Sequence, residues 1–129
     1  NQLNLAAAKG SAYNAFNPAS ATRTVVMPLI MDRNSGFFTG MSVVNIGSPT
    51  TVTCTYVRSS NNQTVKTETT SSIATNGAFG VIHNNYLADR FVGSATCVAN
   101  AAGGLLIGQV NELGSGAGDQ LFTYEAVNK

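Results

Sequence analysis

His83 is the single histidine of the chain, so any acid–base or nucleophilic scheme built on an imidazole must use it. Asp89 and Ser94 follow closely and complete the residue types of a triad. No nucleophile-elbow pattern frames the serine, however, and Ser94 falls in a strand-like run while His83 falls in a polar loop. A solvent-facing or loop-stabilising histidine is the reading, and no residue is assigned a catalytic role. Asp32-Arg33-Asn34-Ser35-Gly36 opens like a calcium loop. Calcium takes about six to eight oxygens, typically with a late bidentate carboxylate, and here the chain continues Phe37-Phe38-Thr39. A turn held by Asx hydrogen bonds, without metal, is expected. The Gly-rich stretches at Gly103-Gly104 and Gly114 to Gly118 do not lead into a helix with a Lys-Ser/Thr pair, so they do not read as phosphate cradles. The sequence calls for no cofactor.

Two further chemistries are covalent. Cys54 and Cys97 are the only cysteines and match neither a metal knuckle nor C-x-x-C. Each sits in a strand-like apolar run, which suits two buried thiols or one bridge between strands. Low charge, abundant Thr and Ser and few Lys suggest a secreted protein and favour the bridge. Asn62-Gln63-Thr64 is the single N-x-S/T sequence and falls at a predicted hairpin tip, making Asn62 the candidate site for a covalent glycan.

Charged residues make up 10% of the 129 residues, against about 25% in an ordinary soluble domain. Uncharged Thr and Ser must therefore hydrate the surface, as in Thr51-Val52-Thr53-Cys54-Thr55. A net charge of +1 without a basic cluster gives no reason to expect nucleic acid or an anionic membrane as partner. No apolar run is long enough to span a bilayer. The chain opens at Asn1, consistent with a removed signal peptide or with a fragment.

The elements that would position these residues are strands. From Arg23 onward, short β-branched runs alternate with turn residues: Arg23 to Ile30 with Pro28 as a bulge or edge, Phe37 to Ile46 with Gly40 as a bulge, Thr50 to Arg58, and Gln63 to Thr70. Ser72 to Ile82, Phe91 to Ala99, Leu105 to Glu112 and Gln120 to Val127 follow. Val52, Cys54 and Tyr56 alternate with Thr51, Thr53 and Thr55, the pattern of a strand with one buried face. No helical periodicity is sustained. Roughly seven to nine strands predict a single antiparallel β-sandwich, immunoglobulin-like or jelly-roll-like, over residues 19–129, with residues 1–18 as an N-terminal extension.

That extension resembles the other end of the chain. Asn1-Gln2-Leu3 matches Asn111-Glu112-Leu113, and Tyr13-Asn14-Ala15-Phe16-Asn17 matches Tyr124-Glu125-Ala126-Val127-Asn128, with Tyr13 and Tyr124 offset by 111 residues. The first 18 residues therefore look like the end of a unit whose body lies elsewhere, either in a tandem array or in a neighbouring molecule. Within the body, Val26-Met27-Pro28-Leu29-Ile30, Gly40-Met41-Ser42-Val43-Val44-Asn45-Ile46-Gly47, Phe91-Val92-Gly93-Ser94-Ala95 and Gln109-Val110-Asn111-Glu112 with a closing Tyr resemble β-sandwich modules repeated in tandem in secreted or surface proteins of environmental bacteria. This resemblance implies a β-sandwich in an extracellular or cell-surface setting, and no reaction. The architecture is also similar to donor-strand fibre subunits, in which an N-terminal segment completes the next sandwich.

The expectation is a structural subunit of an extracellular microbial filament, a head-to-tail homopolymer. Leu3, Leu5, Ala12, Tyr13, Ala15 and Phe16 would contact the neighbouring subunit, with the acceptor at Arg23 to Ile30 or at the strand ending at Val127. The alternatives are one repeat of a long surface stalk or adhesin, or a carbohydrate-binding module. Dispersed tyrosines and the absence of Trp weaken the last.

Overall fold

The computed structural model describes residues 9–12 and 15–129 together with the backbone course of residues 2–4. It is an all-β sandwich of two antiparallel sheets. The strands are β1 (Gln2–Asn4), β2 (Lys9–Ser11), β3 (Thr24–Asp32), β4 (Phe37–Asn45), β5 (Val52–Arg58), β6 (Thr64–Thr69), β7 (Gly77–His83), β8 (Phe91–Ala99), β9 (Leu106–Gly114), β10 (Leu121–Glu125) and β11 (Val127–Asn128). One sheet runs β10-β9-β4-β7 and the other β11-β3-β8-β5-β6, while β1 and β2 form a separate hairpin.

Alternation explains why these residues make these layers. Along β8 and β9 every second side chain is buried, from Phe91 to Ala99 and from Leu106 to Gly114. The inward residues Val25, Met27, Ile30, Val43, Tyr56, Phe91, Leu106 and Val110 fill one core between the sheets. The outward threonines of β5 and β6 form a wet ladder instead, with Thr53 and Thr69 hydroxyls 2.9 Å apart.

Most of the expected strands fold where the alternation places them, and Pro28 lies in a register shift of β3 between Met27 and Ile30. Three details differ from that reading or add to it. Gly40 is no bulge, because β4 keeps continuous register with both neighbours through it. The N-terminal extension carries a strand of its own, β2, which ends at Ser11 and pairs with β1, and residues 15–17 lead into a short 3-10 turn at Pro18–Ser20. The final run is two strands. After β10 has paired with β9, the chain crosses at Ala126 to the other sheet, where β11 pairs with β3 at Val25 and Val26. Gly108 permits the crossing: a Cβ there would lie 2.9 Å from that of Ala126.

Cys54 and Cys97 are bridged, directly opposite one another on the paired strands β5 and β8. The bond closes a loop with a sequence separation of 43, worth about 2–4 kcal/mol through the unfolded chain. Replacing both cysteines by alanine is expected to lower Tm by roughly 10 °C. Calorimetry checks this, and an unchanged Tm would show that the bridge adds nothing to the core.

Candidate functional site: an unpaired edge beside an apolar groove

The two sides of the sandwich are closed differently. On the β6/β7 side, the loop of residues 84–90 covers the gap. Asp32, fully buried, accepts backbone N–H groups of Asn85 (2.9 Å), Tyr86 (2.7 Å) and Leu87 (2.6 Å), and its other contact is Arg33 Nε at 2.8 Å. Tyr86 then lies over the edge, donating to Glu68 and holding Lys66 Nζ 3.3 Å from its ring centre. Lys66 and Glu68 sit opposite Tyr56 and Cys54 on edge strand β6. Inward charges of this kind stop an edge from pairing with another chain. The Asp32 carboxylate is thus an anchor for the 85–87 segment and makes no Asx bond in its own turn, which is closed instead by backbone bonds between Asn34 and Phe37.

His83 corrects the sequence reading. It ends β7, is fully buried, and packs edge-on to Tyr56 and Tyr86. Its Nδ1 donates to the Thr39 carbonyl at 3.0 Å, and burial lowers its pKa, so the ring is a neutral core group. Phe79 and Val81 share its side of β7, and that parity was the available signal. Asp89 is exposed and 3.5 Å from Arg33, and Ser94 lies in β8 opposite Val57, so the three triad letters are not assembled.

The β3/β10 side is less complete. In β10, Phe122 lies opposite Glu112 and Tyr124 opposite Val110. Directly opposed residues of an antiparallel pair share a face, and Glu112 and Val110 are buried, so Phe122 and Tyr124 point between the sheets. Phe122 is nevertheless 59% exposed. The reason is that β11 ends after covering Val25 and Val26, and no strand of the described residues continues along the outer edge of β3. There the backbone N–H groups of Leu29 and Met31 are met by side chains: the Tyr124 hydroxyl at 3.3 Å and the Thr39 hydroxyl at 2.7 Å. Leu29, Met31, Phe37, Phe122 and Tyr124 line a groove of about 320 Å³, with Glu112 also on its wall.

Glu112 is the groove's polar anomaly. It is 2% exposed; Oε2 accepts from the Thr39 hydroxyl at 2.6 Å, and Oε1 has no hydrogen-bond partner among the described residues. Burial raises its pKa to about 7, against the opposing pull of the Thr39 hydrogen bond. Sequence reasoning passed over it, although it occupies the inward parity of β9 after Leu106, Gly108 and Val110.

A carboxyl whose folded pKa lies above its unfolded value holds more protons when folded, so stability falls as pH rises between the two values. The dilute chain is therefore expected to lose up to about 3 kcal/mol from this group between about pH 4.5 and 7. Glu112→Gln should flatten that slope and be the more stable protein at pH 8. Urea denaturation across this range checks it, and parallel slopes for both proteins would contradict it.

The remaining sequence candidates are placed as follows. Lys9 and Gly10 rest on the chain's own 114–119 loop, through Nζ to the Gly118 carbonyl at 3.0 Å and N–H to Asp119 at 2.9 Å. Ala12 and Ala15 are exposed and Phe16 is half-buried. Leu3 lies in β1, while Leu5 and Tyr13 lie outside the described residues. Asn62 is exposed at the β5–β6 tip with φ 56. The described residues hold no group of three or more His, Cys, Asp or Glu side chains arranged for a metal, and no helix long and apolar enough to cross a membrane.

The fold and groove define an antiparallel β-sandwich in which β3 beyond Val26 has no strand partner on its outer edge among the described residues. No family model and no curated protein matches the sequence. Among solved structures the chain is similar to Thermotoga maritima 1070, with a TM-score of 0.64 and 13% identity, over 83% of this chain and 94% of that one. At such identity the likeness shows the sandwich fold alone.

Proposed function

We propose that this chain is the structural subunit of an extracellular microbial filament, assembled head-to-tail as residues 1–18 of one copy complete the sandwich of the next. The observation that carries the reading is Phe122, an inward-facing aromatic 59% exposed because the edge of β3 opposite it is unpaired. An open edge beside exposed apolar surface invites strand addition. The opposite edge carries inward Lys66 and Glu68, so the two sides differ in the way a directional polymer needs. Repetition of such a contact without closure gives a fibre. The disulfide is compatible with an extracellular setting, and the exposed Asn62 offers a glycan site on the fibre surface.

The repeated ends, offset by 111 residues, also favour one repeat of a long surface stalk, in which a peptide bond joins successive units. Electron microscopy and denaturing mass of the purified material test both. Fibres that dissociate to single units in denaturant support strand exchange, and a denatured mass of many units supports the stalk. A chain that stays monomeric at high concentration overturns the filament.

A further inference from the structure

We propose that the groove beside β3 receives the Tyr13 and Ala15 face of a second copy's N-terminal segment, with the Tyr13 hydroxyl donating to Oε1 of Glu112. The proposal rests on the filament reading and assigns its acceptor and register.

The groove specifies its occupant by what it lacks. Its walls are mostly apolar, Asn34 and Ser35 also line it, and its one buried acceptor without a partner among the described residues is Oε1 of Glu112, whose second oxygen already serves Thr39. A wholly apolar occupant would leave Oε1 unsatisfied in a dry site, which costs about 1–3 kcal/mol. A suitable segment therefore carries one hydrogen-bond donor at the end of an apolar side chain, next to a small residue. In an extended conformation residues 11–16 present Tyr13 and Ala15 on one side and Ala12 and Asn14 on the other. The alternative face, Leu3 with Leu5, has no donor.

The chain's own closing strand supplies the precedent. Tyr124, the sequence counterpart of Tyr13, lies at this groove and sends its hydroxyl to the Leu29 carbonyl. Ala126, the counterpart of Ala15, is small enough to pack on Gly108. A second Tyr-x-Ala segment, entering where β11 ends, would use the same pairing of a long tyrosine and a small alanine. The exposed trough on the outer face of the other sheet, lined by Phe38, Gly40, Ile82 and Leu113, is the competing surface. It has no buried unsatisfied group to fix a register.

The test is disulfide trapping between full-length chains, the native cysteines being already paired. A tagged chain carrying Tyr13→Cys is mixed with an untagged chain carrying Phe122→Cys, in excess unmodified protein, under mild oxidation. A reducible tagged–untagged dimer is expected, whereas Ile82→Cys in place of Phe122→Cys should give none. Ala15→Cys replaces Tyr13→Cys if loss of the tyrosine prevents incorporation. Separately, Tyr13→Phe is expected to raise the concentration needed for assembly about tenfold, with little further effect when Glu112→Gln is already present. Fibres that trap through Ile82→Cys, or through neither position, overturn the groove while leaving the filament standing. Trapping at Phe122→Cys with normal assembly of Tyr13→Phe overturns the role of the hydroxyl. Absence of fibres from the unmodified chain overturns both.

Discussion

Deletion of residues 1–18 is expected to abolish fibre formation and to leave a folded monomer. Among the described residues, Lys9 and Gly10 hold to their own chain by exposed bonds, to the loop carbonyl of Gly118 and the carboxylate of Asp119, and Phe16 is half-buried. Solvent-exposed polar contacts of this kind contribute about 0–1 kcal/mol each, so Tm should shift by only a few degrees. The same segment seated in a neighbour would cover Phe122, Leu29 and the edge of β3. Burying a large apolar side chain stabilises by about 1.5–3 kcal/mol, and several together amount to orders of magnitude in the concentration at which chains associate. The expected contrast is therefore a large effect on assembly with a small one on folding. Electron microscopy at equal concentration reads the first and calorimetry the second. Truncated chains that make normal fibres would remove the N-terminal segment from the interface, and a truncated chain that unfolds would show that its contacts lie within its own sandwich.

Legibility in the sequence followed period and parity. Strands β8 and β9 announce themselves because every second residue is apolar or small, whereas the Cys54–Cys97 bridge was favoured by composition alone, and that β5 and β8 are neighbours is visible only in the fold. The groove was less visible because it is a product of the sheet switch at Ala126. Gln120 to Val127 reads as one strand, and nothing local says that the chain leaves β9 after Glu125 and pairs with β3 from Val127. The two strands expected to offer an acceptor, Arg23 to Ile30 and the one ending at Val127, are neighbours in one sheet, and the groove lies where β3 outruns β11. Polar core residues are the systematic miss. His83, Glu112 and Asp32 were judged by residue type, whereas their burial is decided by position: two on inward parities and one where three backbone donors converge.

Asp32→Ala is expected to be the most damaging single substitution, at about 4–5 kcal/mol. Three backbone N–H groups of the 85–87 segment lose a charged acceptor at once, and hydrogen bonds to an ionised partner are worth about 1.5–3 kcal/mol each. Arg33 loses its buried contact in the same step. Tyr86 and Leu87, which pack on the core, would be released, and with Tyr86 the cover over Glu68 and Lys66 on β6. Asp32→Asn should recover only part of the loss, because its amide nitrogen would face donors. The ionised form also gives a pH signature. Burial pushes the carboxyl upward, but the Leu87, Arg33, Asn85 and Tyr86 donors together outweigh it and hold the pKa at about 2. A folded pKa below the unfolded value contributes stability at pH above the unfolded pKa, and that contribution drains as pH falls from about 4 through 2. From this group it amounts to roughly 2 kcal/mol. Urea denaturation of the parent and of Asp32→Asn at pH 2 to 6 should therefore converge towards acid, with amide exchange at residues 85–87 rising first in the variant. A loss below about 1 kcal/mol at neutral pH would mean that the loop is held by Tyr86 and Leu87 packing, and that closure of this side of the sandwich does not depend on Asp32.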